Sequence, residues 1–329
     1  MPKIAIDVMS GDHAPLEIIK GCVEASQETD ATLILVGNKE IITNELKKYT
    51  YQAERIEIVD AQEVITMEDS PVMAIRRKKD SSMVVGLNLV KDKKADGLVS
   101  AGNTGALLAG GTLLVGRLKG VERPALASLI PVDKGFSLLM DCGANVDAKA
   151  SYLMQFAQMG HIYMKELMTI DNPSIGLINI GVEEEKGNAV VKETFGLLKA
   201  SNLNFVGNIE ARDISLGQAD ILICDGFVGN VVLKQMEGFG MWIFKLLKEE
   251  LTKNWVRKMG AMIIMPALKS LKNRFDYAEQ GGAPLLGLNG LVLKTHGSAK
   301  AKQIKHTILQ GVRLAEQDVV SKIEQNINM

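Results

Sequence analysis

The chain has 329 residues, 47% of them hydrophobic, and a formal net charge of -1. That apolar fraction is ample for a large core and excludes intrinsic disorder. Near-neutral charge excludes global attraction to nucleic acid, so no nucleic-acid partner is expected, and any anionic partner must be met by a local patch.

Strand-like runs alternate with helical stretches. In order they are KIAIDVM (3–9), TLILVG (32–37), RIEIVDA (55–61), DGLVSAG (96–102), SIGLINIG (174–181), LNFVGNIEA (203–211), DILICDG (220–226) and GLVLKTHG (290–297). Most are continuously apolar rather than alternating, which suits strands covered on both faces of a mostly parallel sheet. The stretch 125–145, ALASLIPVDKGFSLLMDCGAN, differs: two apolar runs flank DKG, so an antiparallel hairpin is expected within the sheet. No Pro/Gly/Ser-rich linker divides the chain, and one continuous α/β domain over 1–329 is expected.

From Asn230 to about 276 the pattern is helical without strands. Val232, Met236, Phe239, Ile243, Leu247 and Leu251 fit one helical face. After a break at Gly260 and Pro266, Leu268, Leu271 and Phe275 fit another. A protruding helical hairpin is expected. Between 241 and 275 it carries eight Lys/Arg against two Glu, with Trp242, Trp255 and the cluster AMIIM (261–265). A basic, aromatic, amphipathic hairpin fits an anionic membrane surface or an acidic protein, and equally a dimer interface with solvated lysines. The RRKK run (76–79) follows a helix start marked by Asp69, Ser70 and Pro71 and reads as a solvated face.

The three cysteines, Cys22, Cys142 and Cys224, are too dispersed for a metal or redox motif, and their odd number argues against a disulfide framework. A reducing, cytoplasmic setting is expected, with no signal peptide ahead of KIAIDVM and no run long enough to span a bilayer.

The strand ends share a style. DVMSGDHAP (7–15), SAGNTGA (100–106), DCGAN (141–145), NIGVEEEKG (179–187), DGFVGN (225–230), GGAPLLGLNG (281–290) and THGSAK (295–300) set Gly or Ala beside Asn, Asp, His or Lys. Small residues let backbone amides approach an anion, and ligands of parallel sheets gather beyond strand ends. One such turn is ordinarily only a tight turn; several together point to a shared anion site. Neither a G-x-G-x-x-G nor a Walker A motif occurs. His13 and His296 lie in these loops and suit proton transfer, although either alone reads as well as a structural histidine. Lys186 follows three Glu: a solvated turn, or a phosphate-neutralising cation braced by carboxylates. Cys142 reads as a buried small residue before a thiol nucleophile. Asp7, Asp141 and Asp225 close strands, and holding loop amides fits them better than ligating a metal.

In their order along the chain, DVMSGDHAP, RRKKDSSM, SAGNTGA, DCGAN, NIGVEEEKG, GNIEARD, DGFVGN and GGAPLLGLNG…HGS resemble the bacterial phosphate acyltransferases, the PlsX family, from about Ile4 to Ser298. Ser10 departs from the family's usual second Gly before Gly11, and Ala299 and Lys300 depart from the commoner Ser and acidic residue. The resemblance implies a three-layer α/β/α sandwich, related to isocitrate and isopropylmalate dehydrogenases and to phosphotransacetylases. It implies transfer of a fatty acyl group from acyl carrier protein to inorganic phosphate, giving acyl phosphate for a membrane acyltransferase of phospholipid synthesis. It also implies a homodimer with no metal or organic cofactor.

On that reading Gly102, Gly105, Asn103 and Thr104 hold phosphate at a helix N-terminus, with Lys186 as the cation. Asn230 and the Gly226–Gly229 amides supply oxyanion donors, and His13 or His296 assists proton transfer. Asp7, Gly11, Asp12, Ser100, Asp141, Asn145, Asp225 and Gly297 complete the substrate-binding candidates. Lys258, Lys269, Lys272 and Arg274 are the candidates for docking the acidic carrier protein, with peripheral membrane contact possible through the same hairpin. Alternatives are a short-chain phosphotransacetylase or a metal- and nicotinamide-dependent decarboxylating dehydrogenase on the same fold, and a non-catalytic lipid-surface scaffold.

Overall fold

The computed structural model describes residues 1–274 and 281–327. Its strands are β1 (Lys3–Asp7), β2 (Thr32–Gly37), β3 (Ile56–Asp60), β4 (Gly97–Ser100), β5 (Ala125–Val132), β6 (Gly135–Met140), β7 (Ile175–Asn179), β8 (Phe205–Glu210), β9 (Ile221–Ile223), β10 (Ala283–Leu286) and β11 (Leu291–Lys294). The helices are α1 (Leu16–Ser26), α2 (Lys39–Leu46), α3 (Pro71–Arg77), α4 (Ser82–Lys91), α5 (Thr104–Gly110), α6 (Ala150–Met168), α7 (Ala189–Ala200), α8 (Gly226–Thr252), α9 (Trp255–Arg274), α10 (Ala301–Glu316) and α11 (Val319–Asn326).

All strands join one sheet in the order β3-β2-β1-β4-β11-β10-β5-β6-β9-β7-β8. The apolar runs are continuous because successive side chains enter different cores. Ile4 and Ile6 pack with Ile18 and Ile19 of α1, whereas Ala5 packs with Met83, Val84 and Leu87 of α4. Leu33 and Leu35 against Ile34 and Val36 repeat the division. A strand covered on both faces has no use for polar alternation.

Pairing is mostly parallel. The exceptions are β11–β10, β10–β5 and β5–β6. β5 and β6 pair from Val132 opposite Gly135 to Ala127 opposite Met140, around the turn at 133–134. β10 was not expected: APLL is short, contains Pro and sits in a Gly-rich stretch that reads as loop. Its insertion matters. Three antiparallel steps separate β11 from β6, so β6, β9, β7 and β8 run opposite to β1, β2, β3, β4 and β11. Even so, register brings the ends of β6 and β11 to one level: Met140 pairs with Ala127, next to Leu126, which pairs with Leu285 of β10, next to Pro284, which pairs with Leu293.

The helical segment starts a turn earlier than expected, at Gly226, because the Asp225 carboxylate caps it by accepting from Val228 N at 2.8 Å. The break falls at 253–254, not at Gly260. Asn254 Oδ1 accepts from Arg257 N at 2.9 Å, and both Gly260 and Pro266 lie inside α9. A cap decides where a helix starts more strongly than a tolerated Gly or Pro decides where one ends. Phe275, and the last residues of the expected hairpin up to 276, lie outside the described residues. Among the described residues no helix is long and apolar enough to cross a membrane.

Candidate active site

A cleft of about 1140 Å³ runs beneath α8. Its polar lining includes Asp12, Thr104, Asn230, Lys234, Glu237, Lys294, Thr295 and His296. Leu126, Leu129, Leu233, Met236, Met241 and Phe244 give it an apolar wall. A few polar groups converging at an otherwise apolar cleft is the usual form of a small-molecule site.

The first loop group sits at the ends of β1, β4 and β11. Asp7 is fully buried and accepts from Ser82 Oγ at 2.6 Å and Ser100 Oγ at 2.7 Å. Burial pushes its carboxyl up, against the lowering effect of those hydroxyls. Ser100 Oγ in turn accepts from Gly102 N at 3.0 Å, so Asp7 shapes the SAGNTGA turn from below. Asp12 N donates to Gly297 O at 2.8 Å, tying the first loop to the last. Gly11 makes that tie possible: its φ is +114°, and a Cβ there would lie 2.8 Å from Ala101 Cβ. The Asn103 side chain is committed to structure. Its Oδ1 caps α5 through Ala106 N at 3.0 Å, and its Nδ2 donates to Met67 O at 3.2 Å. Of the expected pair, Thr104 is the side chain exposed at the cleft.

The second group sits at the ends of β6 and β9. Asp141, fully buried, accepts from Leu126 N at 3.0 Å, Gly143 N at 3.3 Å, Ala144 N at 3.1 Å and Asn145 N at 2.6 Å, and from Asn145 Nδ2 at 2.8 Å. Burial pushes its carboxyl up, and these donors oppose the shift. Asn145 O accepts from Gly226 N at 2.7 Å. Gly229 N donates to Asp225 O at 3.0 Å. The amides of Gly226, Val228 and Gly229 are thus used within the fold, and Asn230 remains as the expected oxyanion donor that lines the cleft. Gly229 is required by contact: a Cβ would fall 1.9 Å from Asp141 O.

Of the two histidines, His296 lines the cleft and His13 does not. Nδ1 of His296 accepts from Ser298 N at 3.2 Å and lies 2.8 Å from Ser298 Oγ. Because a backbone N–H only donates, the ring's own proton sits on Nε2, which makes it a donor. Lys186 is exposed in the loop after β7 and does not line the cleft. Cys142 lines the cleft but is buried, donates to Leu139 O at 3.1 Å, and has its thiol pushed well up by burial and by Asp141. Lys258 and Lys269 are exposed on α9, and Lys272 and Arg274 belong to its last turn.

Lys294 escaped the sequence reading, where it is merely the last residue of a strand. It ends β11 opposite Ser100 of β4, largely buried, with Nζ donating to Ala101 O at 3.5 Å and to Thr295 O. Burial, then Lys234 nearby, push its amine down to about 8, while Asp7 and Asp12 pull the other way. The available signal was a lysine closing an otherwise wholly buried strand.

Fold and cleft together define an α/β enzyme with a charged and hydrogen-bonding pole beside an apolar wall. In fold the chain is similar to a phosphotransacetylase from Streptococcus pyogenes (TM-score 0.64, 18% identity, covering 96% of this chain and 94% of that one). It is also similar to a 4-hydroxythreonine-4-phosphate dehydrogenase from Klebsiella pneumoniae (0.55, 11%, 96% and 100%). Residues 2–322 match the family model described as fatty acid synthesis protein. The chain is 52% identical to the phosphate acyltransferase of Alkaliphilus oremlandii, over 99% of this chain and 97% of that one. It is 51% identical to that of Clostridium acetobutylicum, over 98% of both. The chain belongs to this family of acyltransferases.

Proposed function

We propose that the protein transfers a fatty acyl group from the thioester of acyl carrier protein to inorganic phosphate, yielding acyl phosphate for phospholipid synthesis. The observation that carries this reading, beside family membership, is the two-sided cleft, with its polar pole at the strand ends and its apolar wall along α8. In the reaction a phosphate oxygen attacks the thioester carbonyl, the C–S bond breaks, and the carrier thiolate leaves and takes up a proton. Thr104 and the Gly102–Gly105 turn hold phosphate, and Asn230 donates to the tetrahedral oxyanion. His296 donates through Nε2 to the departing sulfur. The acyl chain lies along Leu129, Leu233, Met236 and Phe244.

We read the body as a three-layer α/β/α sandwich of the isocitrate dehydrogenase type, single-domain, with α8 and α9 as a projecting hairpin. Trp255, Met262 and Ile263 are exposed on α9 among its lysines. That surface suits carrier-protein docking, a second copy in a homodimer, or peripheral contact with an anionic membrane where a membrane acyltransferase takes the product. The rival reading, a short-chain phosphotransacetylase, draws on the shared fold.

The test is direct. Palmitoyl-carrier-protein, phosphate and hydroxylamine are expected to give phosphate-dependent palmitoyl hydroxamate in the presence of the purified protein. No hydroxamate above background defeats the proposal, and faster turnover of acetyl-coenzyme A favours the rival. Unchanged rates in EDTA, with no nicotinamide absorbance, exclude the dehydrogenase.

A further inference from the structure

We propose that the ammonium of Lys294 and the hydroxyl of Thr295, faced by Lys234 of α8, form the cradle that takes the phosphate, the part that the sequence assigned to Lys186. The inference rests on phosphate being a substrate, as proposed above, and adds which residues hold it.

Four observations converge. Lys294 lines the cleft beside the SAGNTGA turn, since it pairs with Ser100 and reaches Ala101 O. Two of its three N–H groups meet backbone carbonyls, which leaves one for a ligand. Among the described residues no carboxylate ion-pairs with it, although a largely buried ammonium ordinarily has such a partner. Thr295, next in the chain and also lining the cleft, is 1% exposed, and its Oγ1 has no hydrogen-bond partner. Natural proteins rarely leave such an oxygen unsatisfied.

The charge balance points the same way. Lys294 faces Lys234, whose own partner is Glu237 at 2.7 Å. Asp7 and Asp12 attract Lys294 from the β1 end, and His296 and Glu237 line the same cleft. Two lysines lining one cleft repel less once an anion binds there, and phosphate oxygens accept from ammonium and hydroxyl alike. Lys186, exposed and outside the cleft lining, has no such setting within the chain.

The experiment measures initial rates against phosphate and against acyl-carrier-protein for the wild type and for Lys294→Met, Lys294→Arg and Thr295→Val. Lys294→Met is expected to raise the KM for phosphate about tenfold or more, with the KM for acyl-carrier-protein nearly unchanged. Lys294→Arg restores part of the loss, and Thr295→Val raises the phosphate KM a few-fold. A second readout needs no turnover: a given concentration of inorganic phosphate raises the melting temperature of the wild type clearly more than that of Lys294→Met. If Lys294→Met keeps both the phosphate KM and the thermal shift, the proposal is overturned. Should that variant fail to melt cooperatively, unchanged phosphate KM values in Lys294→Arg and Thr295→Val overturn it instead. A wild type that makes no acyl phosphate defeats the proposed function, while the thermal shift still judges the cradle.

Discussion

Replacing Lys294 by methionine should stabilise the protein while disabling it. The amine is pushed from its ordinary 10.5 down to about 8. At about 1.4 kcal/mol for each pH unit, the native state of the lysine protein carries about 3 kcal/mol of disfavoured charge at neutral pH, less whatever solvent in the cleft screens. The sign follows from linkage. Because the folded value lies below the unfolded one, the native state binds fewer protons between pH 8 and 10.5, and wild-type stability rises across that window through this group. Below it the whole cost is present. Methionine removes the charge and fills similar volume, but it leaves Ala101 O and Thr295 O without their Nζ donor, at about 1 kcal/mol together. The net expectation is a gain of about 1–2 kcal/mol at about pH 7 that vanishes or reverses near pH 10. Urea unfolding at both pH values reads it directly. Saturating phosphate should then erase most of the advantage at pH 7, since a tenfold difference in affinity gives the wild type about 1.4 kcal/mol more from the ligand. A variant destabilised equally at both pH values would refute the reasoning, because the lysine would then act by packing and not by charge.

Asp141→Ala removes the acceptor of four backbone amides and the Asn145 side chain, and should cost about 4 kcal/mol in urea unfolding, with Asp141→Asn costing less; a loss under about 1 kcal/mol would mean that water replaces the carboxylate. Cys142→Ala should keep nearly full activity, because a thiol held so far from ionisation is a poor nucleophile. Recovery of an acyl adduct on Cys142 by mass spectrometry after acid quench would sink that view. Reversing the charge of Lys269, Lys272 and Arg274 together should raise the KM for acyl-carrier-protein and flatten its salt dependence, with phosphate KM unmoved; an unchanged KM for the carrier protein removes the docking role.

How much of this was legible in the sequence depended on range. The eight apolar runs became strands because burial on both faces leaves a local mark in every residue, as in LILV of β2. Local capping chemistry lies in the sequence: Asp225 and Asn254 mark helix starts, whereas Gly260 and Pro266, the breakers that the pattern offers, end no helix. What the sequence could not show is which of the strand-end loops reach the cleft. SAGNTGA, DCGAN, DGFVGN and NIGVEEEKG all follow strands, yet residues of the first three line one cleft and Lys186 of the fourth does not. Local chemistry holds no record of how far a loop reaches over the sheet, so by sequence Lys186 is as good a cation as any.

Strand order also decides what meets what. β11 lies between β4 and β10, which brings Lys294 against Ser100, nearly two hundred residues away in the chain. A lysine closing a buried strand is unremarkable until its neighbour is known to be the turn that carries Gly102 and Thr104. From that point its lack of an ion-pair partner and the unpaired Thr295 hydroxyl cease to be separate defects and share one explanation, an anion that both would satisfy. Each alone would carry little: buried lysines do occur unpaired, and a hydroxyl can go unsatisfied. Their adjacency in one cleft wall is what the pairing of β4 with β11 creates, and it is why the phosphate KM of Lys294→Met discriminates between the two cations where the loop motifs do not.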